Sequence, residues 1–449
     1  MGVDAISQSI QSLADALFLP WLVVLLFGSG IFLTIRLRLI QIRGVRAALA
    51  SLVGRQDGSA GGILTPFQAF MTALAATIGT GNIAGVAAGI VSGGPGALFW
   101  IWCYGFVATA IKFSEAVLGV RFREVLPSGT LTGPMYYLRD GLRSPRLAGA
   151  YALVAGLAAL TTTPFTQTNS IALVWHVRSG VPTWVAGIVI GILTWLVIIG
   201  GIRSIGRAAE KLAPLKVGLY LAGGVAVLIT FAGRIPDVLA LVMREAFSFR
   251  ATAGGTLAIF VAMRYGLARG VYANEAGYGT AAVAYGTAMS REPLAQGLNA
   301  VIEVFIVSFV TSSISALSIL VTGAYLSGQT STAAVALAFD AALPGVGGWM
   351  VAVCVFLFGY TTLVGWSYYG EQFLVYLFGQ RIVMPYRWVY CLLIPIGAVT
   401  RVDLVWAWGD LMNALQVFPN MFGVLALSGL VAAVANQPAP DETRGRRDA

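Results

Sequence analysis

The chain has 449 residues, 58% of them hydrophobic and only 10% charged, with a net charge of +9. Soluble domains average roughly 45–50% apolar and about 25% charged residues, which excludes a soluble globular class. Apolar runs of about 20 residues, enough to cross a bilayer as helices, recur along nearly the whole length. The pattern lacks the short alternating strands of a membrane β-barrel, and in such a chain +9 reads as loop charge on one membrane face, not as a nucleic-acid surface.

About eleven transmembrane helices are predicted, near 19–39, 67–91, 96–120, 149–176, 181–201, 214–232, 255–283, 297–324, 346–377, 386–402 and 411–435. The first twenty residues lack a basic start and carry Asp4 and Asp15, so no cleavable leader is expected. The first span ends in TIRLRLIQIRGVR, with Arg36, Arg38, Arg43 and Arg46. If that end is cytoplasmic, the following loops alternate consistently. On the same side fall Arg121, Arg123, Arg139, Arg143 and Arg146, then Arg203, Arg207, Lys211 and Lys216, then Arg381 and Arg387, then the arginines of the tail. Most of the 28 lysines and arginines thus lie on one face, which puts the N-terminus outside and the C-terminus in the cytoplasm of a multi-pass inner-membrane protein. Loops are short. The stretch SGTLTGPMYYLRDGL is either an interfacial or gating element or a plain loop, and the polar tail 436–449 is expected to be disordered.

Two spans carry helix-breaking residues. The second reads ALAATIGTGNIAGVAAGIVSGGPG, Ala73 to Gly96, with Gly79, Gly81 and Gly85 around Thr80 and Asn82. Glycine at small-xxx-small spacing also serves helix packing, so this span alone decides little. The seventh reads FVAMRYGLARGVYANEAGYGTAAVAYG and holds Arg264, Arg269, Asn274 and Glu275 among four glycines. Charge at membrane depth is costly and marks function by default; Arg269 and Glu275 are candidates to neutralise one another. With the first span set aside, the interrupted helices are the first and sixth of ten, the layout of an inverted five-plus-five repeat. In such transporters the substrate binds at the midplane between paired discontinuous helices. Irregular backbone at that depth is tolerated only where it is buried or lines a cavity. Freed N–H groups suit a carboxylate, and freed carbonyls suit a small hard cation.

A membrane-embedded enzyme would need a nucleophile–base pair or metal ligands at depth. The single histidine, His176, sits at a span end, and Cys103, Cys354 and Cys391 are scattered without metal spacing. Neither an enzyme nor a resident cofactor is expected.

The stretches FQAFMTALAATIGTGNIAGVA, GGPGALFWIW, KFSEAVLGVRFRE, GPMYYL, QTNSIA, RYGLARGVYANEAGYGTA, GWSYYGEQFLVYLFG and DLMNALQVFPN together resemble the alanine or glycine:cation symporter (AGCS) family, the sodium/alanine symporters, over about residues 15–435. The resemblance implies an all-α, leucine-transporter-like (LeuT-type, APC superfamily) core of five plus five helices preceded by one extra helix. In that reading 1–60 hold the extra helix and a cytoplasmic linker, 61–232 the first repeat and 233–435 the second. The implied function is uptake of small neutral amino acids, alanine or glycine, coupled to Na+ by alternating access. The alternative is an H+- or Na+-coupled transporter of another small solute on the same fold. The chain departs from the family pattern at Thr168 in Gln167-Thr168-Asn169-Ser170, at Asn274-Glu275-Ala276-Gly277-Tyr278-Gly279-Thr280-Ala281-Ala282, where the family has NEAG, a small residue and then G-S-A-P, at Pro164, and at Thr361-Thr362, where a Ser-Thr pair is commoner.

The interrupted helices and the resemblance together suggest a site. The substrate carboxylate is expected at the N–H groups of Thr80 and Gly81, with Gln167 donating its side-chain amide. The ammonium is expected at carbonyls near Gly266 and Gly270, with Trp366 walling the side-chain pocket. For Na+ the carbonyls of Ala75 and Ile78 and the hydroxyls of Thr361 and Thr362 are expected. Asn82 either coordinates a second ion or braces the unwound turn. Glu115, Glu303 and Glu371 are expected at cytoplasmic ends or in buried pairs with Arg or Lys.

Overall fold

The computed structural model describes residues 9–13, 21–53, 61–127, 129–250 and 256–437. The expected tail lies outside the described residues from position 438 onwards. The main helices are α1 (Val23–Arg36), α2 (Pro66–Thr77), α3 (Ala84–Gly93), α4 (Ala97–Arg121), α5 (Pro145–Thr161), α6 (Thr163–Ser179), α7 (Thr183–Ile198) and α8 (Gly201–Thr230). They are followed by α9 (Ala258–Asn274), α10 (Thr280–Gly286), α11 (Pro293–Phe305), α12 (Ser312–Thr322), α13 (Gly347–Phe378), α14 (Val383–Val399), α15 (Val402–Ala426) and α16 (Ser428–Ala435). Among the described residues six helices are long and apolar enough to cross a membrane, or up to eight if each of two bent pairs is one span. The chain is thus a multi-pass α-helical protein, and the count of eleven is finer than length and composition establish.

The predicted spans correspond to helices with instructive differences. The span expected at 214–232 begins thirteen residues earlier, because α8 runs unbroken from Gly201 through Pro214. Lys216, expected among the cytoplasmic charges, is therefore inside a helix and fully buried. The last predicted span is bent by 59° between Leu404–Ala426 and Ser428–Ala435. The SGTLTGPMYYLRDGL stretch is neither a single helix nor a plain loop. Its start closes an antiparallel hairpin of β1 (Glu124–Leu126) and β2 (Gly129–Leu131), and a short helical segment, Pro134–Gly141, follows.

Local sequence explains the starts. Thr65 caps α2 by accepting from the Gln68 amide (3.1 Å), and the Gln68 side chain accepts in return from Thr65 N–H (3.2 Å), a capping box ahead of Pro66. Pro164, in the first turn of α6, leaves Thr162 between α5 and α6: proline clashes with a preceding turn but suits a helix start.

α4 is the central strut. It packs on α1, α9, α10 and α11 and buries nearly all residues from Tyr104 to Val120. Between α11 and α12 the helix widens into a π turn over Ile306–Thr311, a feature that re-aims side chains. Here Ser308 donates to Asn274 Oδ1 (2.8 Å) at the end of α9. Facing outward are apolar rows at helical spacing, Ile188, Ile192 and Leu196 on α7 and Trp388, Leu392, Ile396 and Val399 on α14, as a lipid-facing surface requires.

Candidate functional site

The first helix break is built by glycine and threonine. α2 ends at Thr77. Ile78 leaves the helical region (ψ 85), Gly79 is extended, and Thr80–Asn82 form one 3-10 turn before α3 resumes at an angle of 61°. A helix end leaves its last carbonyls without intrahelical partners, and buried ones must find others. Lys216 Nζ donates to Ala75 O (2.9 Å) and Ile78 O (2.6 Å), Thr362 Oγ1 donates to Ala76 O (2.8 Å), and Asn82 Nδ2 donates to Thr77 O (3.2 Å). On the amide side, Thr80 N–H (3.0 Å) and Oγ1 (2.9 Å) donate to Gln167 Oε1. Asn82 thus braces the turn through its nitrogen, while its buried Oδ1 has no partner among the described residues.

The second break lies later than expected. α9 continues through Gly266 and Gly270 to Asn274, and the chain unwinds over Glu275 to Gly279. Gly266 and Gly270 are packing residues: a Cβ on Gly266 would lie 2.5 Å from Ala97 O, and one on Gly270 would lie 2.9 Å from the Tyr104 ring. The expectation that carbonyls near these glycines face a substrate is corrected here, because a helix pressed this closely to α4 keeps its carbonyls in its own ladder; Gly270 O also accepts from Asn274 Nδ2 (2.9 Å). The break is made by positive φ at Glu275 (54°), Gly277 (95°) and Gly279 (85°). A glutamate in the left-handed region is uncommon and needs outside support. Its carboxylate accepts from Trp366 Nε1 (2.8 Å) and Thr280 Oγ1 (3.2 Å). The pairing with Arg269 is not formed; that guanidinium lies 6.0 Å from the centre of the Trp406 ring.

Buried charges tie the breaks down. Lys112 of α4 donates to Thr77 Oγ1 (2.9 Å), Asn274 O (2.7 Å) and Glu303 Oε1 (2.6 Å), so one ammonium sits at the C-terminal ends of both interrupted helices. Cations are favoured there by the helix dipole. Tyr285 OH completes the Glu303 carboxylate (2.8 Å). On the opposite electrostatic side, Glu115 Oε1 accepts from the N–H groups of Gly277 and Gly279 (3.0 Å each) and from Asn420 Nδ2 (2.7 Å). Glu303 and Glu371 are in ion pairs, with Lys112 and Arg387; Glu115 instead holds backbone amides.

The two breaks face one buried cavity. Its walls include Gly79, Gly81, Asn82 and Thr362 on one side and Tyr272 and Glu275 on the other, with Gln167 and Trp366 between them. Of the expected residues, Gly81, Asn82, Gln167, Thr362 and Trp366 come together here, with Thr80 bonded to Gln167 beside them. Ala75, Ile78 and Thr361 gather instead around Lys216. Sequence reasoning missed Tyr272 and the two lysines, and gave Glu275 no contact with substrate. The available signal was charge inside apolar runs, at Lys112 in AIKFSEAV and at Lys216 in LAPLKVGLYLAGG. Gly81 is required for a local reason: a Cβ there would lie 2.6 Å from the Tyr272 ring.

Residues 3–447 match the model of the sodium:alanine symporter family. The chain belongs to that family. As a family member the protein is a membrane transporter, a Na+-coupled symporter for small neutral amino acids, and not an enzyme. The sodium/alanine symporter AgcS of Methanococcus maripaludis is 38% identical over 92% of this chain and 93% of its own length. The protein named probable sodium/glutamine symporter GlnT of Bacillus subtilis is 32% identical over 93% of this chain and 87% of its own. Among solved structures, MhsT in complex with L-phenylalanine superposes with a TM-score of 0.53 at 14% identity, covering 84% of this chain and all of that one, which shows a shared LeuT-type fold. The relatives' names differ in the amino acid carried, so the symporter's substrate is read from its own cavity below.

Proposed function

We propose that the symporter takes up alanine or glycine, bound as the zwitterion between its two helix breaks. The observation that carries this reading is the cavity's polarity. On one side stands the 3-10 turn around Gly81, whose amides cannot all be satisfied within a helix. On the other stands the Glu275 carboxylate, bonded to the neutral donors Trp366 Nε1 and Thr280 Oγ1. A free amino acid is the complement of such a pair. The substrate carboxylate takes the amides at Thr80 and Gly81, displacing Gln167 Oε1 from Thr80, and the Gln167 side-chain amide then donates to it. The ammonium goes to Glu275, in place of the carbonyls expected near Gly266 and Gly270. Trp366 and Tyr272 close the space beside Cα and favour small side chains.

For the coupling Na+, the supporting feature at this cavity is Asn82 Oδ1, which has no partner among the described residues, beside a Thr77 carbonyl that accepts from Asn82 Nδ2 and the Gly79 amide. Discontinuous helices commonly hold transported cations through such oxygens. The helices are assigned to two inverted five-helix repeats after α1, with the N-terminus outside and the C-terminus in the cytoplasm. Supporting this are the matched breaks and the arginines at the α1, α4 and α8 ends. Substrate and ion then raise one another's affinity reciprocally and shift the population towards occluded and inward states.

The test is uptake of labelled L-alanine by proteoliposomes of the purified protein, under an imposed Na+ gradient and without one, with glycine, D-alanine and leucine as competitors. Concentrative uptake that needs the gradient and is blocked by glycine but not leucine is expected. Facilitated equilibration without accumulation, or preference for leucine, would overturn the reading.

A further inference from the structure

We propose that Lys216 is the resident cation of the oxygen cradle at the first helix break, and that this cradle takes no sodium ion. The inference rests on the symporter reading above and concerns how many ions the protein binds. Four oxygens were expected to hold Na+: the carbonyls of Ala75 and Ile78 and the hydroxyls of Thr361 and Thr362. Three of them converge on Lys216 Nζ, at 2.9 Å, 2.6 Å and, for Thr361 Oγ1, 2.6 Å. An ammonium has three N–H donors and no acceptor, and here each donor meets one oxygen. The fourth oxygen, Thr362 Oγ1, donates to Ala76 O at 2.8 Å.

Nothing in this geometry leaves room for a metal ion. A sodium ion carries the same charge as the ammonium and seeks the same oxygens, so the two compete for one centre. Like charges in contact at low dielectric repel strongly. The end of α2 favours a single positive charge, which the lysine supplies. Lys216 does not snorkel to a surface: the residue is fully buried, and the Phe358 ring lies 5.2 Å from Nζ.

The lysine also has a mechanical role. The ammonium is tethered to α8, its carbonyl partners belong to the end of α2, and Thr361 belongs to α13. It therefore joins three helices, a connection that a bound ion would make only while bound. A crevice lined by Ala75, Ile205, Leu212 and Thr361 meets the cradle from the part of α8 that carries Arg203, Arg207 and Lys211, so the cradle is approached from that side.

The experiment counts radioactive sodium bound per molecule by the purified full-length protein, native and Lys216→Met. Methionine keeps the length of the side chain and removes its charge and donors. The variant is expected to bind one sodium ion more than the native protein, and adding Thr361→Ala is expected to weaken that extra ion at least tenfold. Equal sodium counts in native protein and Lys216→Met overturn the proposal, as does an extra ion in Lys216→Arg, which keeps a fixed charge in the cradle. If the methionine variant does not fold, the charge moved per alanine by the native protein in proteoliposomes decides. One sodium charge is expected, and two overturn the proposal. Failure of the native protein to bind alanine or glycine counts against the substrate reading above and leaves the sodium counts as the measure of this one.

Discussion

The two helix breaks solve the same problem with different chemistry. The first, at Ile78–Asn82, is an uncharged turn whose freed carbonyls are met by the Lys216 ammonium, the Thr362 hydroxyl and the Asn82 side-chain amide. The second, at Glu275–Gly279, brings its own charge in a left-handed glutamate, and its freed amides are met by the Glu115 carboxylate. Cations gather at C-terminal helix ends and an anion at the amides that precede α10, as dipole and hydrogen-bond accounting both require. The lesson is that an interrupted membrane helix is stabilised by its neighbours. Glycine permits the opening; Lys112, Lys216 and Glu115, all on other helices, keep it open in one conformation.

That contrast can be broken at several points. Lys112→Met strips the shared cation from both breaks and strands Glu303 in the interior. Removing one partner of a buried pair costs about 3–5 kcal/mol, so a large loss in denaturant unfolding is expected, with partial recovery in the double variant Lys112→Met/Glu303→Gln. Additive losses would show that the pair does not act as a unit. Gly81→Leu acts on the first break alone. Its side chain enters the space of Tyr272, and alanine affinity should fall more than a hundredfold, about 2.8 kcal/mol or more, while the protein stays folded by size-exclusion chromatography. Unchanged affinity would remove the turn from the site.

Glu275→Gln sharpens the second break. Its ring of donors from Trp366 and Thr280 survives, but the negative charge offered to an ammonium does not. Alanine affinity is expected to drop ten- to a hundredfold, about 1.4–2.8 kcal/mol, by calorimetry. No change would mean that Glu275 is only a structural support for the unwound segment. The smallest effect belongs to Thr65→Ala, remote from both breaks, which removes the cap of α2. A loss of about 1 kcal/mol in stability is expected, with alanine affinity held.

Much of the architecture was legible because the bilayer imposes simple rules. Long apolar runs mark helices, and the glycine-rich interruptions accompany both openings: Gly277 and Gly279 adopt a positive φ that costs other residues more, and Gly81 leaves the room that the Tyr272 ring takes. The motif set led to the right family for the same reason: the family's breaks and cavity walls are local stretches of chain. The position of the second break was misjudged, since Gly266 and Gly270 look like hinge glycines until the neighbour they press against, α4, is known. The third bend, at Leu427, has no glycine or proline beside it except Gly429 to announce it.

The sequence by itself determined the class, the family and the first break, because each is written in composition or in a short contiguous motif. Only the tertiary structure decided what fills the oxygens those breaks expose. Lys216 lies 138 residues from Ile78 and 145 from Thr361 along the chain, and a single charge two residues past Pro214 looks like one more cytoplasmic lysine. Its partners are backbone carbonyls, which have no sequence signature, and hydroxyls, which are common. Whether such oxygens meet an ion or a side chain depends on how α8 packs across α2 and α13, and that is a property of the folded bundle.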